Sequence, residues 1–167
     1  MIDNMMSNRQ HVVNVPDWSP EGRAFTDFLM RVFPLSHRLT AAGEMLARHG
    51  GQTLARWLVL ERIDTQPATV ADIARSMGLA RQGVQRLADA LVEGGAARYE
   101  LNARHKRAQL LDITDAGRAS LRTIQVAQRE WSNRVGTQLG RIELDRASAL
   151  LDRALVIAEE SPPDARP

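Results

Sequence analysis

Residues 69–118 read TVADIARSMGLARQGVQRLADALVEGGAARYELNARHKRAQLLDITDAGR. Val70, Ile73, Ala74 and Met77 recur at i, i+3, i+4 and i+7, and Val84, Leu87, Ala88, Leu91 and Val92 repeat that spacing. Each set lays one apolar stripe along a helix. Thr69 followed by Asp72 is a capping-box pattern, with Asp in place of the usual Glu or Gln. Gly78 can take the left-handed conformation that stops the first helix and turns the chain. A few residues then separate the two helices, and Gly94-Gly95 ends the second.

Downstream, Arg98-Tyr99-Glu100-Leu101 and Leu111-Asp112-Ile113 alternate polar and apolar residues, as short antiparallel strands do. Between them lies Asn102-Ala103-Arg104-His105-Lys106-Arg107, a basic hairpin tip. Two helices joined by a tight turn and followed by a basic hairpin spell a winged helix-turn-helix. Arg81, Gln82, Gln85 and Arg86 stand near the start of the second helix, off the apolar stripe. Arg and Gln can pair with guanine and adenine edges in the major groove, and recognition helices present their N-terminal positions to bases. Arg104, Lys106 and Arg107 at the tip suit phosphates or a narrow, electronegative minor groove. Taken singly these features are bland, because exposed Arg and Gln are ordinary on a solvated helix and basic turns are ordinary loops. Their order along the chain gives the specificity and points to duplex DNA.

The chain has 167 residues, enough for one compact domain or a small domain with attached helices. Its formal net charge is only +2, so any electrostatic footprint is local. Lys106 is the single lysine among 22 basic residues. With no cysteine, disulfides, thiolate metal sites and cysteine redox sensing are excluded. The N-terminal residues lack the apolar core of a signal peptide, and no apolar run approaches the roughly 20 residues of a membrane span. The expectation is a cytoplasmic protein with no membrane partner and no cofactor.

Helices flank the winged unit on both sides. Residues 1–18 read as a flexible arm and residues 161–167 as a disordered tail. Ser19-Pro20-Glu21 is a helix start. A stripe of Phe25, Phe28, Leu29, Val32 and Phe33 follows, and Pro34 is expected to kink or interrupt the helix before it resumes to Gly50. Leu54, Trp57, Leu58 and Ile63 suggest a further helix ended near Pro67. Residues 115–139 and 143–159 form two more. The expected fold is mainly α with a small β wing. Residues 19–50 form an N-terminal dimerisation helix, 52–114 the winged helix-turn-helix, and 115–160 C-terminal dimerisation helices. An intramolecular bundle is the bland use of the outer stripes. A two-fold homodimer is the sharper one, placing two recognition helices about 34 Å apart on one DNA face.

This layout resembles the multiple antibiotic resistance regulator (MarR) family over about residues 25–158. The likeness rests on GQTLARWLVLERI, VADIARSMGLARQGVQRLADALVEGG and, most specifically, the wing NARHKRAQLLDITDAGR with its Thr-x-x-Gly. The resemblance implies a homodimer on a palindromic operator, with repression relieved by a small ligand. It matches Arg107 to the wing arginine that enters the minor groove, and Arg81, Gln82, Gln85 and Arg86 to recognition-helix positions. Asn102 and His105 depart from the family by standing where wing acids are common, so an acid that would brace Arg107 is missing. Effectors of the family are often aromatic or phenolic acids, which makes Phe33, His37, Trp57 and Trp131 a candidate ligand pocket; helix-stripe aromatics are more often core.

Other classes fit less well. The histidines are scattered, and there is no nucleophile elbow, phosphate loop or dinucleotide fingerprint, so no enzyme is expected. A zinc site of His37, Glu44 and His49 has poor spacing, because chelating pairs commonly sit one helical turn apart. A winged-helix protein-interaction module and a ligand-independent regulator remain as alternatives. The first predicts little salt dependence of DNA affinity.

Overall fold

A computed structural model describes residues 17–103 and 108–161. In order these form α1 (Pro20–Arg48), α2 (Leu54–Thr65), β1 (Ala68–Thr69), α3 (Val70–Met77), α4 (Arg81–Glu93), β2 (Ala97–Glu100), β3 (Leu110–Ile113), α5 (Asp115–Leu139) and α6 (Arg141–Glu160). The chain divides into two compact units after Leu39. The fold is mainly helical with a small antiparallel sheet, as the sequence predicts.

The first unit carries the N-terminal part of α1. The Ser19 hydroxyl accepts the Gly22 N–H at 3.0 Å, capping the helix. Phe25 and Phe28 stack at 6.3 Å, while Met30, Phe33, Leu35 and Leu39 are exposed. The interruption expected at Pro34 does not occur, and α1 is helical on both sides of it. Pro34 removes one donor to the Met30 carbonyl, and at this exposed site water can replace it.

In the second unit, capping side chains set the helix starts. The Thr53 hydroxyl accepts the Arg56 N–H at 3.3 Å, and Glu44 accepts the Leu54 N–H at 3.2 Å, fixing the start of α2. Thr69 ends β1 and caps α3: its hydroxyl accepts the Asp72 N–H at 3.2 Å and donates to the Asp72 carboxylate at 2.7 Å. The box is thus closed side chain to side chain. Gly78 ends α3 at φ 63°, the left-handed turn expected of it.

The sheet order is β1–β3–β2, with Ala68 opposite Leu111 and Ala97 opposite Ile113. Both wing strands begin one residue earlier than the alternation suggests: β2 at Ala97, buried opposite the buried Ile113, and β3 at Leu110, paired with Glu100 on one side and Thr69 on the other. β1 is additional to the expected pair. Beneath the sheet, Leu60, Ile63, Ile73, Val84, Leu91, Leu111 and Ile113 form a core with Leu121 and Ile124 of α5.

Two glycines let α5 approach. A Cβ at Gly117 would lie 2.1 Å from the Ala96 carbonyl oxygen, and one at Gly50 would lie 2.6 Å from that of Ser120. The Ser120 hydroxyl donates to the Gly50 carbonyl at 2.6 Å, closing this contact. Gly140, at φ 83°, separates α5 from α6. No residue of α6 is buried, and Leu150, Leu151, Leu155, Val156 and Ile157 are exposed. No described helix is long and apolar enough to cross a membrane.

Candidate nucleic-acid interface

α4 is seated by Val84, Ala88 and Leu91, which face the core. That burial turns Arg81, Gln82 and Arg86 outward, and all three are exposed. Ala80 offers no side-chain cap at the positive end of the helix dipole, where the Gly83 N–H turns back to the Ala80 carbonyl at 2.9 Å. The Arg86 guanidinium leans back on the Gln82 carbonyl at 3.4 Å, a contact that a better acceptor would readily displace. By contrast Arg75 on α3 is engaged with Asp72 at 3.1 Å. The outward face of α4 therefore offers two guanidinium groups and one amide.

Gln85 sits differently from its three neighbours. It is half-buried in a cleft of about 330 Å³ between the start of α3, α4 and the wing. Its amide nitrogen donates to Asp89 at 2.9 Å and to the Tyr99 hydroxyl at 2.8 Å. The Tyr99 hydroxyl in turn donates to Asp89 at 2.7 Å. Burial, reinforced by Asp89, pushes the Tyr99 phenol up to about 12, so it stays a donor. Sequence reading placed Tyr99 in a strand and named neither it nor Asp89 as a site residue. Their pairing spans 10 residues and two elements, and no local motif announces it.

Below the tip, the strands are clamped by Arg98. It reaches Glu100 at 2.8 Å and, across the sheet, the buried Asp112 at 2.5 Å. Thr114 then hands the wing over to α5: its hydroxyl donates to the Gly95 carbonyl at 2.7 Å and accepts the Gly117 N–H at 3.1 Å. Arg104, Lys106 and Arg107, with His105, lie outside the described residues.

The four ligand candidates fall in unlike surroundings. Phe33 and His37 are exposed on α1. Trp57 is buried in the core, with its ring N–H donating to Glu61 at 3.0 Å. Trp131 packs, half-buried, against the same core. A larger cleft of about 780 Å³ opens between the end of α2, α3 and the base of the wing, lined by Arg62, Asp72, Arg75, Leu101 and others. None of the four candidates lines either cleft. Among the described residues no three His, Asp or Glu side chains gather as a metal site, and Glu44 is engaged at the start of α2.

The sequence model of the MarR family matches residues 51–108. An uncharacterised protein of Mycobacterium tuberculosis is 34% identical over 132 residues, covering 79% of this chain and 92% of the relative. Among solved structures, the MarR family transcription regulator SP03579 superposes with a TM-score of 0.75 at 21% identity, over 84% of this chain and 97% of that one. The transcriptional repressor CouR, bound to a 23-mer DNA duplex, gives 0.68 at 24% identity, over 85% and 99%.

Proposed function

This chain belongs to the MarR family, and on that premise we propose that it is a homodimeric repressor of a palindromic operator, released by a small aromatic or phenolic ligand. Members of this family are non-enzymatic DNA-binding regulators, and that much holds for this chain. The carrying observation for DNA contact is the outward face of α4, where Arg81, Gln82 and Arg86 are exposed beside an uncapped helix start. Guanidinium groups there serve both phosphates and guanine edges. The wing tip, with Arg104, Lys106 and Arg107, adds the adjacent minor-groove and phosphate contacts. CouR, of the same fold, is itself a repressor held on duplex DNA.

The homodimer reading is supported by α6, a 20-residue helix with no buried residue and five large apolar side chains exposed near its end. Such a surface calls for a partner, and a second copy would pair the recognition helices on one face of a palindrome. Ligand release is the finer part of the proposal. A ligand acts only by as much free energy as it distinguishes the two conformations. Phe33, His37, Trp57 and Trp131 are the residues proposed to respond, and the protein is proposed to work in the cytoplasm.

The test is selection of binding sites from a random duplex library, with wild type and Arg107→Ala at two salt concentrations. A palindromic consensus that weakens in the variant supports the reading. No enrichment at low salt overturns it and favours a protein-interaction module. Loss of DNA affinity on adding simple aromatic carboxylates tests the release step, and unchanged affinity across such a panel favours ligand-independent regulation.

A further inference from the structure

We propose that the cleft between the end of α2, α3 and the base of the wing binds a small organic monoanion, a carboxylate carried on a compact apolar body. The site is separate from Phe33, His37, Trp57 and Trp131, none of which lines it, and the binding step does not depend on the regulator reading. At about 780 Å³ the cleft falls within the range of about 300–1,000 Å³ usual for small-ligand sites. Its lining divides by chemistry. Arg62 is half-buried and forms no hydrogen bond or ion pair with any other described residue. Withdrawing a charge from water without a partner costs free energy that a bound anion returns. Arg75 is exposed and gives one N–H to Asp72 at 3.1 Å, which leaves four of the five donors of its guanidinium.

The charge balance narrows the ligand. Arg62 and Arg75 against Asp72 leave one positive charge in the lining, and the Asp72 carboxylate repels a second negative one. A monoanion is therefore favoured over a phosphate dianion, and a carboxylate matches the planar fork of a guanidinium. The rest of the lining is apolar: Pro67, Ala68, Leu101 and Leu110. Leu101, just past the end of β2, is 91% exposed, the highest value among the large apolar side chains. It contributes almost no burial where it stands, and an apolar body in the cleft would cover it. The site joins α3, which packs on α4, to the strand that leads into the wing tip. Occupancy thus bears on how the wing is held, by as much free energy as the ligand distinguishes its positions.

The experiment is titration of the full chain with cyclohexanecarboxylate, followed through backbone amide NMR shifts, with cyclohexanecarboxamide and inorganic phosphate as comparison probes. Wild type should saturate with a Kd of about 1 mM, with the largest shifts at Arg62, Ala68, Arg75 and Leu101. The neutral amide and the phosphate should each bind about tenfold more weakly. Arg62→Ala should weaken the carboxylate about tenfold, and Arg62→Lys, which keeps the charge without the fork, about threefold. Leu101→Ser alters an exposed side chain outside the core and should weaken it about threefold. Thermal unfolding checks each variant; if Arg62→Ala does not fold, Arg62→Lys and Leu101→Ser carry the test. The proposal is overturned if wild type does not saturate by about 20 mM, or if the saturating shifts centre on Trp57 and Trp131 instead. It is equally overturned if the amide binds as tightly as the carboxylate, or if the Arg62 and Leu101 variants keep wild-type affinity. Phosphate binding as tightly as the carboxylate would overturn it as well and assign the cleft to a bare anion, such as a DNA phosphate.

Discussion

Replacing Gly117 with alanine should destabilise the fold by about 1–3.5 kcal/mol, although alanine is the better helix former. The new Cβ would lie 2.1 Å from the Ala96 carbonyl oxygen and 2.8 Å from Ile113 Cγ1, where ordinary contact begins at 3.4 Å. The shortfall against the carbonyl is 3.4 − 2.1 = 1.3 Å. That carbonyl is backbone and accepts the Thr114 N–H at 3.1 Å, so moving it so far breaks the bond. Overpacking costs about 1–3 kcal/mol and the lost hydrogen bond about 1 kcal/mol. Against this stands a helix-propensity gain of about 0.5–1 kcal/mol. Gly83→Ala is the matched control, because a Cβ there meets nothing within 4 Å and only the propensity gain applies. Thermal unfolding followed by far-ultraviolet circular dichroism, at one fixed protein concentration, separates the two. A chain of this size should lose about 3–10 °C in the first variant and gain about 1–3 °C in the second. The reasoning is refuted if Gly117→Ala melts within about 1 °C of wild type.

Three further outcomes can be checked. Thr69→Ala removes the α3 cap and should cost about 1 kcal/mol at neutral pH. The Asp72 carboxyl is held below its ordinary 3.8 chiefly by the Thr69 hydroxyl, against an opposing desolvation and with further help from Arg75. That contribution is present above the unfolded pKa and lost as pH falls through the folded one, so the deficit of the variant in chemical denaturation should shrink in acid. Tyr99 is the single tyrosine, so phenolate absorbance reads it alone and should titrate near 12. Its folded pKa lies above the unfolded value of about 10. The stability it contributes is therefore full below about pH 10 and lost as pH rises toward 12. A phenolate midpoint near 10 would contradict the hydrogen-bonded ring. Arg86→Ala, if Arg86 contacts a phosphate, should flatten the plot of log affinity against log salt by about 0.9. An unchanged slope with an altered base preference would instead assign it a base.

Local rules made most of the fold legible. The Thr69 cap, the Gly78 turn and the stripes of α3 and α4 each follow from a few neighbouring residues, and the structure places them as expected. β1 escaped because a two-residue strand has no room for a period. Pro34 does not interrupt α1, because its local cost is outweighed by helix on either side and by solvent at the missing hydrogen bond. The candidate site was legible only in part. Periodicity sets Arg81, Gln82 and Arg86 off the apolar stripe, and they are exposed. It cannot say that Gln85 is engaged by a tyrosine 14 residues later. Nor could it separate Trp57 as core from Trp57 as ligand contact, since both readings need the same stripe.

The core under the sheet also constrains how the protein is made. Leu46 and Ala47 at the end of α1 and Leu121 and Ile124 of α5 are buried with the side chains of the winged unit, and the Gly50 carbonyl waits for a hydroxyl 70 residues later. A nascent chain that has emerged only as far as the wing lacks part of its own interior. At about 5–20 residues per second, the unit stays open for about a second after β3 leaves the ribosome. Only when α5 arrives can the DNA-reading surface set. A fragment cut at residues 52–114 would repeat that unfinished state permanently, so a minimal DNA-binding piece must begin before Leu46 and run beyond Ile124.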